Sequence, residues 1–141
     1  MAYAADFEKT YVDDDWSRLY QYFCDDAVYR VESDLFGCEL TGPAAIFAGI
    51  KKSLDGFDRR FTGREIAITE GPDVDGDELS ATWKVTYTKD GLPPFVLRGK
   101  SMARMRDGKV ALLLDTYDEQ VAVEASEWMR EAGVEFDLSY V

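Results

Sequence analysis

The 141-residue chain contains no histidine and no asparagine. Without imidazole there is no Ser-His-Asp triad, no Cys-His pair and no histidine metal ligand. Any proton transfer falls to Asp, Glu, Tyr, Lys or Cys. Two cysteines, Cys24 and Cys38, are too few for a disulfide scaffold or a cysteine zinc site, and read as free thiols in a reducing compartment. No apolar run approaches the ~18 residues of a membrane span, and no basic segment followed by an apolar run marks a secretion signal. No glycine-rich phosphate loop is present. Basic residues are scarce as well: 16 Lys and Arg stand against 28 Asp and Glu, a formal charge of −12. That balance argues against nucleic acid or an anionic membrane as the main partner, because phosphate binding needs clustered Lys and Arg. The expectation is a soluble, cytoplasmic domain with neither partner, needing no metal and no organic cofactor.

What is present favours folding. Hydrophobic residues make up 46% and aromatics 13%, enough for one core in a single domain spanning 1–141. The charge is loaded at the ends. Residues 1–40 hold ten acids and three bases, residues 115–141 eight and one, and residues 41–114 ten and twelve. Such ends read as solvated helix faces.

The periodicity predicts helices over Asp6–Val12 and from Trp16 to about Phe23, the second capped by Asp13-Asp14-Asp15. A short hairpin follows, with strands at Ala27–Glu32 and Glu39–Thr41 around a turn at Asp34–Gly37. Gly42-Pro43 opens a helix whose apolar stripe is Ile46, Phe47, Ile50 and Leu54. Beyond Phe61 the period changes to two. Arg64–Glu70 and Leu79–Thr88 flank an Asp75-Gly76 turn, which sets Ile68 opposite Trp83 and Ile66 opposite Val85. Phe95–Arg106 and Lys109–Tyr117 flank a second turn, Asp107-Gly108. Asp118 caps a last helix running to about Ala132, and Val134–Tyr140 alternates like an edge strand. Hairpin-joined strands with few helices define an α+β class with an antiparallel sheet.

One carboxylate interrupts an apolar strand. Asp115 follows Val110-Ala111-Leu112-Leu113-Leu114 and shares a face with Ala111, Leu113 and Tyr117. With Asp107-Gly108 as the loop, Lys100 pairs with Asp115, Met102 with Leu113 and Arg104 with Ala111. A carboxylate among apolar side chains has a raised pKa, and a cation opposite pulls it back. Such tuning suits acid–base chemistry. The same pattern also describes an ion pair on the solvent side of the sheet, and the residues alone leave both placements open. Tyr20, Tyr29, Trp83 and Tyr87 sit at spacings that suit either a pocket wall or plain core. Asp73, Asp75 and Asp77 resemble a calcium loop, but Glu78 stands where its glycine is required.

The layout resembles the nuclear transport factor 2-like superfamily, in its SnoaL-like and ketosteroid-isomerase-like branch. The stretches that carry this are Phe23-Cys24-Asp25-Asp26-Ala27, Thr41-Gly42-Pro43-Ala44-Ala45-Ile46, Val74-Asp75-Gly76-Asp77, and Arg106-Asp107-Gly108-Lys109-Val110 running on to Asp115-Thr116-Tyr117-Asp118. They cover about residues 5–120, with a C-terminal helix and tail over 118–141. The resemblance implies a cone-shaped α+β barrel, also called cystatin-like, with helices packed on a strongly curved antiparallel sheet. It implies an enclosed apolar pocket, commonly in a homodimer, and an Asp on the last long strand acting as base. Asp115 occupies that place. The tyrosine of ketosteroid isomerases falls on Phe7, their second acid on Ser101 or Met102, and their base on Val31, or on Asp34 after a two-residue shift. The Arg and Asp of limonene-epoxide-hydrolase-like enzymes have no counterpart in Trp83-Lys84-Val85-Thr86-Tyr87.

Two functions therefore stand side by side. The first is an acid–base enzyme of isomerase, cyclase or dehydratase type on an apolar carbonyl-bearing or polycyclic molecule. Asp115 is its base, with Lys100 and Asp34 as further catalytic candidates. Tyr20, Trp83, Tyr87, Met102, Arg104, Leu113 and Tyr117 are its candidate substrate contacts. The second is a non-catalytic dimeric binding or structural protein of the same fold.

Overall fold

The computed structural model describes residues 2–33, 36–117 and 119–141. The chain opens with α1 (Ala2–Asp13) and a 3₁₀ helix (Trp16–Tyr22), then β1 (Phe23–Glu32) and β2 (Cys38–Thr41). Next come α2 (Pro43–Gly56) and a short 3₁₀ turn (Asp58–Arg60). A meander follows: β3 (Gly63–Asp75), β4 (Glu78–Thr88), β5 (Phe95–Arg106) and β6 (Lys109–Thr116). The helix α3 (Glu119–Ala132) ends at Gly133, which takes a positive φ of 71°. Among the described residues no helix is long and apolar enough to cross a membrane.

The six strands form one curved, unclosed sheet in the order β2-β1-β6-β5-β4-β3. The fold is the α+β cone, with its helices on the sheet's inner side. One pairing departs from an all-antiparallel sheet: β1 and β6 run parallel, with Tyr29 beside Leu113 and Val31 beside Asp115. This pair joins the two ends of the chain's sheet, and no local pattern announces it. The apolar stripe of α2 packs inward, with Ile46 and Phe47 essentially inaccessible. Burying each such side chain contributes about 1.5–3 kcal/mol.

The first strands differ from expectation at their edges. The segment 16–22 winds as 3₁₀ helix, and Asp15 makes no side-chain cap bond. The neighbouring acids are engaged elsewhere, Asp13 by Arg18 and Asp14 by the Trp16 indole N–H. β1 starts at Phe23, four residues before the expected Ala27, so Asp25 and Asp26 lie on its exposed side rather than ending a helix. The helix cap expected at Asp118 lies outside the described residues.

Both long hairpins keep their expected partners near one end and slip at the other. At the first, the turn residues are Gly76-Asp77, because Asp75 pairs with Glu78. Two register shifts in β3 then restore Ile68 opposite Trp83 and Ile66 opposite Val85. Pro72, lacking an N–H, sits in the second of these interruptions. At the second, Asp107 and Gly108 both take positive φ, 55° and 76°, and Arg106 pairs with Lys109 as expected. The Met105 N–H, however, donates to the Asp77 carbonyl at 2.8 Å. The ladder shifts by one residue there, so Arg104 pairs with Leu112 and Asp115 with Ser101, not Lys100.

The tail after α3 is no strand. It runs in irregular extended form beneath α2, with Leu138 buried. Ser53 Oγ donates to the Leu138 carbonyl at 2.8 Å, and the Asp137 N–H donates to the Gly56 carbonyl at 3.0 Å. Gly56 permits this approach, since a Cβ there would meet the Asp137 carbonyl oxygen at 2.2 Å. In Gly56→Ala the helix-propensity gain of about 1 kcal/mol opposes this clash. The clash costs about 1–3 kcal/mol, and loosening the tail's hydrogen bonds adds roughly another 1. Urea unfolding should therefore show a net loss of about 1–3 kcal/mol. An unchanged or higher midpoint would mean that tail docking contributes nothing to stability.

Candidate functional site

The inner face of the sheet, α1, α2 and the tail line a partly open cavity of about 460 Å³. Strand alternation decides what reaches it. Trp83, Val85 and Tyr87 point in from β4, Leu97 and Ser101 from β5, and Leu113 and Asp115 from the end of the meander. Tyr29 enters from β1, Tyr117 from just beyond β6, and Tyr140 from the tail. Tyr3 and Phe7 of α1 cover the other side. Most of this lining is apolar or aromatic.

Asp115 is the polar centre of one end. The Tyr29 hydroxyl donates to its Oδ2 at 2.6 Å, and Ser101 Oγ donates to its Oδ1 at 2.5 Å. Ser101 in turn accepts the Trp83 indole N–H at 2.8 Å. Gly99 makes room for that indole, since a Cβ there would lie 2.7 Å from the ring. Tyr117 packs edge-on against Trp83, with ring centroids 5.6 Å apart. Burial pushes the Asp115 carboxyl above its ordinary value, and the Ser101 and Tyr29 hydroxyls pull it only part of the way back. Among the described residues no Lys or Arg reaches this carboxylate. Tyr29 and Tyr117 are held well above the ordinary phenol value, first by burial, so they remain protonated donors. Tyr140 is raised too, by burial, then by Asp115 and, more weakly, by Asp58.

The other end of the cavity holds a second carboxylate, which the sequence reading missed. Asp58 accepts the Tyr87 hydroxyl at 2.8 Å and Arg64 Nε at 3.1 Å, both on Oδ2. Burial raises Asp58 above its ordinary value despite Tyr87 and Arg64, which lower it. Arg64 also faces Glu8 at 3.4 Å and lies over the Tyr11 ring at 4.8 Å. A signal for Arg64 existed: it stands two residues before Ile66, on the face that carries Ile66 and Ile68.

Of the expected residues, Trp83, Tyr87, Leu113, Asp115 and Tyr117 line the cavity together. Lys100, Met102 and Arg104 do not. The one-residue shift at Met105 puts Ser101 on the face of Asp115, and its even-numbered neighbours on the opposite face of the sheet. Lys100 is exposed, and Arg104 pairs with Glu78 at 2.6 Å. Tyr20 is also outside the cavity, 39% exposed and stacked on Phe47. Asp34 lies outside the described residues. Phe7 lines the cavity, and Ser101 rather than Met102 takes the place beside Asp115. Cys24 and Cys38 are both free thiols. Among the described residues no group of three His, Cys, Asp or Glu side chains is placed to hold a metal ion.

The model of the SnoaL-like domain family matches residues 4–113. No curated protein is significantly similar in sequence. Among solved structures, TerC co-crystallised with polyporic acid is 20% identical, with a TM-score of 0.61 covering 92% of this chain and 99% of that one. A Catenulispora acidiphila protein of ketosteroid isomerase-like fold, in complex with trimethylamine, is 16% identical, with a TM-score of 0.63 over 94% and 93%. A proposed SnoaL-like polyketide cyclase from Jannaschia sp. CCS1 is 18% identical, with a TM-score of 0.60 over 78% and 76%. At these identities the likeness is one of fold.

A buried acid with a raised pKa binds its proton more tightly folded than unfolded. The stability this provides is complete below the ordinary value of 3.8 and is lost as pH rises through the raised folded value. Asp115→Asn removes that dependence, while Asp58 contributes equally to both proteins. Relative to the variant, the wild type should therefore lose stability as pH rises above the ordinary value of 3.8. Urea unfolding over that rise in pH measures the difference. A flat difference, or one of opposite sign, would show that the Asp115 carboxyl is not held above its ordinary value.

Proposed function

The chain belongs to the SnoaL-like domain family, and from that premise we propose that it is a small cofactor-independent acid–base enzyme, acting on an apolar carbonyl-bearing ring compound with Asp115 as base. The observation that carries this reading is a desolvated carboxylate in the wall of an apolar cavity, with no cation beside it among the described residues. A raised pKa makes a carboxylate a stronger base once ionised, and brings it closer to the working pH. In this reading the substrate enters with an acidic C–H against Asp115. Asp115 takes the proton, and the electron pair of the C–H bond moves toward the carbonyl oxygen as an enolate. Return of the proton at another carbon isomerises the substrate; attack of the enolate carbon on a second carbonyl closes a ring.

The enolate oxygen needs donors that are already in place. Lys100 and Arg104 are on the wrong face for this role. Tyr117 and Tyr140 line the cavity and are kept protonated by burial, so they supply neutral O–H donors instead. Two of the similar structures were solved with a small organic molecule, polyporic acid and trimethylamine, which supports a ligand-holding cavity in this fold.

One observation favours a second reading, a binding protein without catalysis. Both Asp115 oxygens already accept a hydroxyl, so the carboxylate also serves as a structural link between β1, β5 and β6. Hydrogen–deuterium exchange separates the two. The enzyme reading expects the protein to speed exchange of the α-protons of 2-tetralone, an apolar bicyclic ketone, followed by NMR in heavy water. The rate should rise with pH as Asp115 ionises. Asp115→Asn should lower it by about 10²–10⁴-fold while the protein remains folded. Wild-type protein that binds 2-tetralone without accelerating exchange, or a variant as fast as the wild type, would leave the binding reading standing.

A further inference from the structure

The base at Asp115 uses one end of the cavity; the far end is polar too, and the proposed chemistry leaves it idle. Trp83 and Tyr87 mark the two ends. They stand on one face of β4 four residues apart, about 13 Å along the strand. The Trp83 indole serves the Ser101–Asp115 end, and the Tyr87 hydroxyl serves Asp58. Val85, Leu97 and Ile66 fill the wall between them. A ligand that satisfies both ends is therefore elongated, apolar in the middle and polar at each tip.

The far end also states which polar group fits. Its cation, Arg64, is already paired with Asp58 at 3.1 Å and faces Glu8 at 3.4 Å. Two carboxylates around one guanidinium leave no surplus positive charge for an anionic ligand. A cationic tip would meet Arg64 itself. A hydroxyl is the group that suits a site of mixed sign, because it donates and accepts at once. It can give its proton to Asp58 and take a hydrogen bond from Arg64. Both residues line the cavity, and the side chains of both are only 12% exposed, so a bond formed there is shielded from water.

We infer that Asp58 and Arg64 form a second subsite that recognises a neutral hydroxyl, phenolic or enolic, at the end of the substrate remote from the reacting carbonyl. This rests on the reading that the cavity binds its ligand, but not on Asp115 acting as a base. The substrate class narrows accordingly to flat ring compounds of two or three rings, oxygenated at both ends.

Isothermal titration calorimetry with simple probes tests this without any turnover. The wild type should bind 2,6-dihydroxynaphthalene about tenfold more tightly than 2-naphthol, the gain expected from one buried hydrogen bond to a charged group. The longer pair, 4,4′-dihydroxybiphenyl and 4-hydroxybiphenyl, extends the reach, and the same preference in either pair suffices. 6-Hydroxy-2-naphthoate should show no such gain. Asp58→Asn and Arg64→Gln should each reduce the preference for the diol, with thermal melting confirming that the variants are folded. Diols no tighter than mono-ols in either pair would overturn the subsite. So would a naphthoate that gains as much as the diol, or a preference left unchanged in either variant. The comparison among probes on the wild type stands even where a variant fails to fold. Loss of the diol preference with 2-tetralone exchange intact refutes the subsite alone. The reverse result refutes the base alone.

Discussion

The structure turns on one unfavourable act, the desolvation of the Asp115 carboxylate with no cation beside it among the described residues. Removing such a charge from water costs several kcal/mol even after relaxation, and two neutral hydroxyls recover only part of that. The surroundings of Asp115 are what make the cost bearable. The Ser101 hydroxyl is oriented by the Trp83 indole, and the indole lies where it does because residue 99 has no side chain. The Tyr29 hydroxyl arrives because β1 pairs parallel with β6 and places Tyr29 next to Leu113, two residues from Asp115. Removing any one of these supports leaves the carboxylate less well held. A proton on the group is the remaining way to relieve the strain, which is why its pKa is raised.

Much of this fold was readable in the sequence because it is written locally. Period-two alternation and two Asp-Gly turns located the meander, and the Ile46–Leu54 stripe located α2. The pairing of Ile68 with Trp83 held even though the turn moved, since only that register keeps the apolar residues on one face. The features that escaped depend on residues distant in sequence. The Met105 N–H is claimed by Asp77, across a different hairpin, and this single bond slips the last ladder by one residue. Because side chains alternate, the slip exchanges Lys100 for Ser101 beside Asp115. The parallel pairing of β1 with β6 has no local signature at all.

The charge distribution takes on a different meaning in three dimensions. The sequence pattern sets Lys100 opposite Asp115 and makes Arg104 a candidate substrate contact. Instead Lys100 and Arg104 decorate the outer face, where Arg104 meets Glu78. The base that does enter, Arg64, comes from the start of the meander and arrives already committed to Asp58 and Glu8. The interior is thus short of positive charge, in keeping with the chain as a whole. Any anion formed there must be steadied by phenol and hydroxyl dipoles, not by a full charge.

Two buried carboxylates in one cavity, each holding a tyrosine hydroxyl, look alike and are not. Asp58 has a guanidinium on the same oxygen as its tyrosine, and that guanidinium favours the ionised form. Among the described residues, Asp115 has neutral donors, Tyr29 and Ser101. Burial raises both, but the opposing forces differ in kind: at Asp58 a guanidinium resists protonation, while at Asp115 the described residues supply only the Ser101 and Tyr29 hydroxyls. Two carboxylates in different surroundings can divide the labour of an acid–base site. The carboxylate without a cation is the one free to exchange its proton with a substrate. The one bonded to Arg64 is tied to a partner of its own and serves better to hold than to react. The difference between the two ends of the cavity therefore comes down to which side of the sheet the cations of β3 and β5 face.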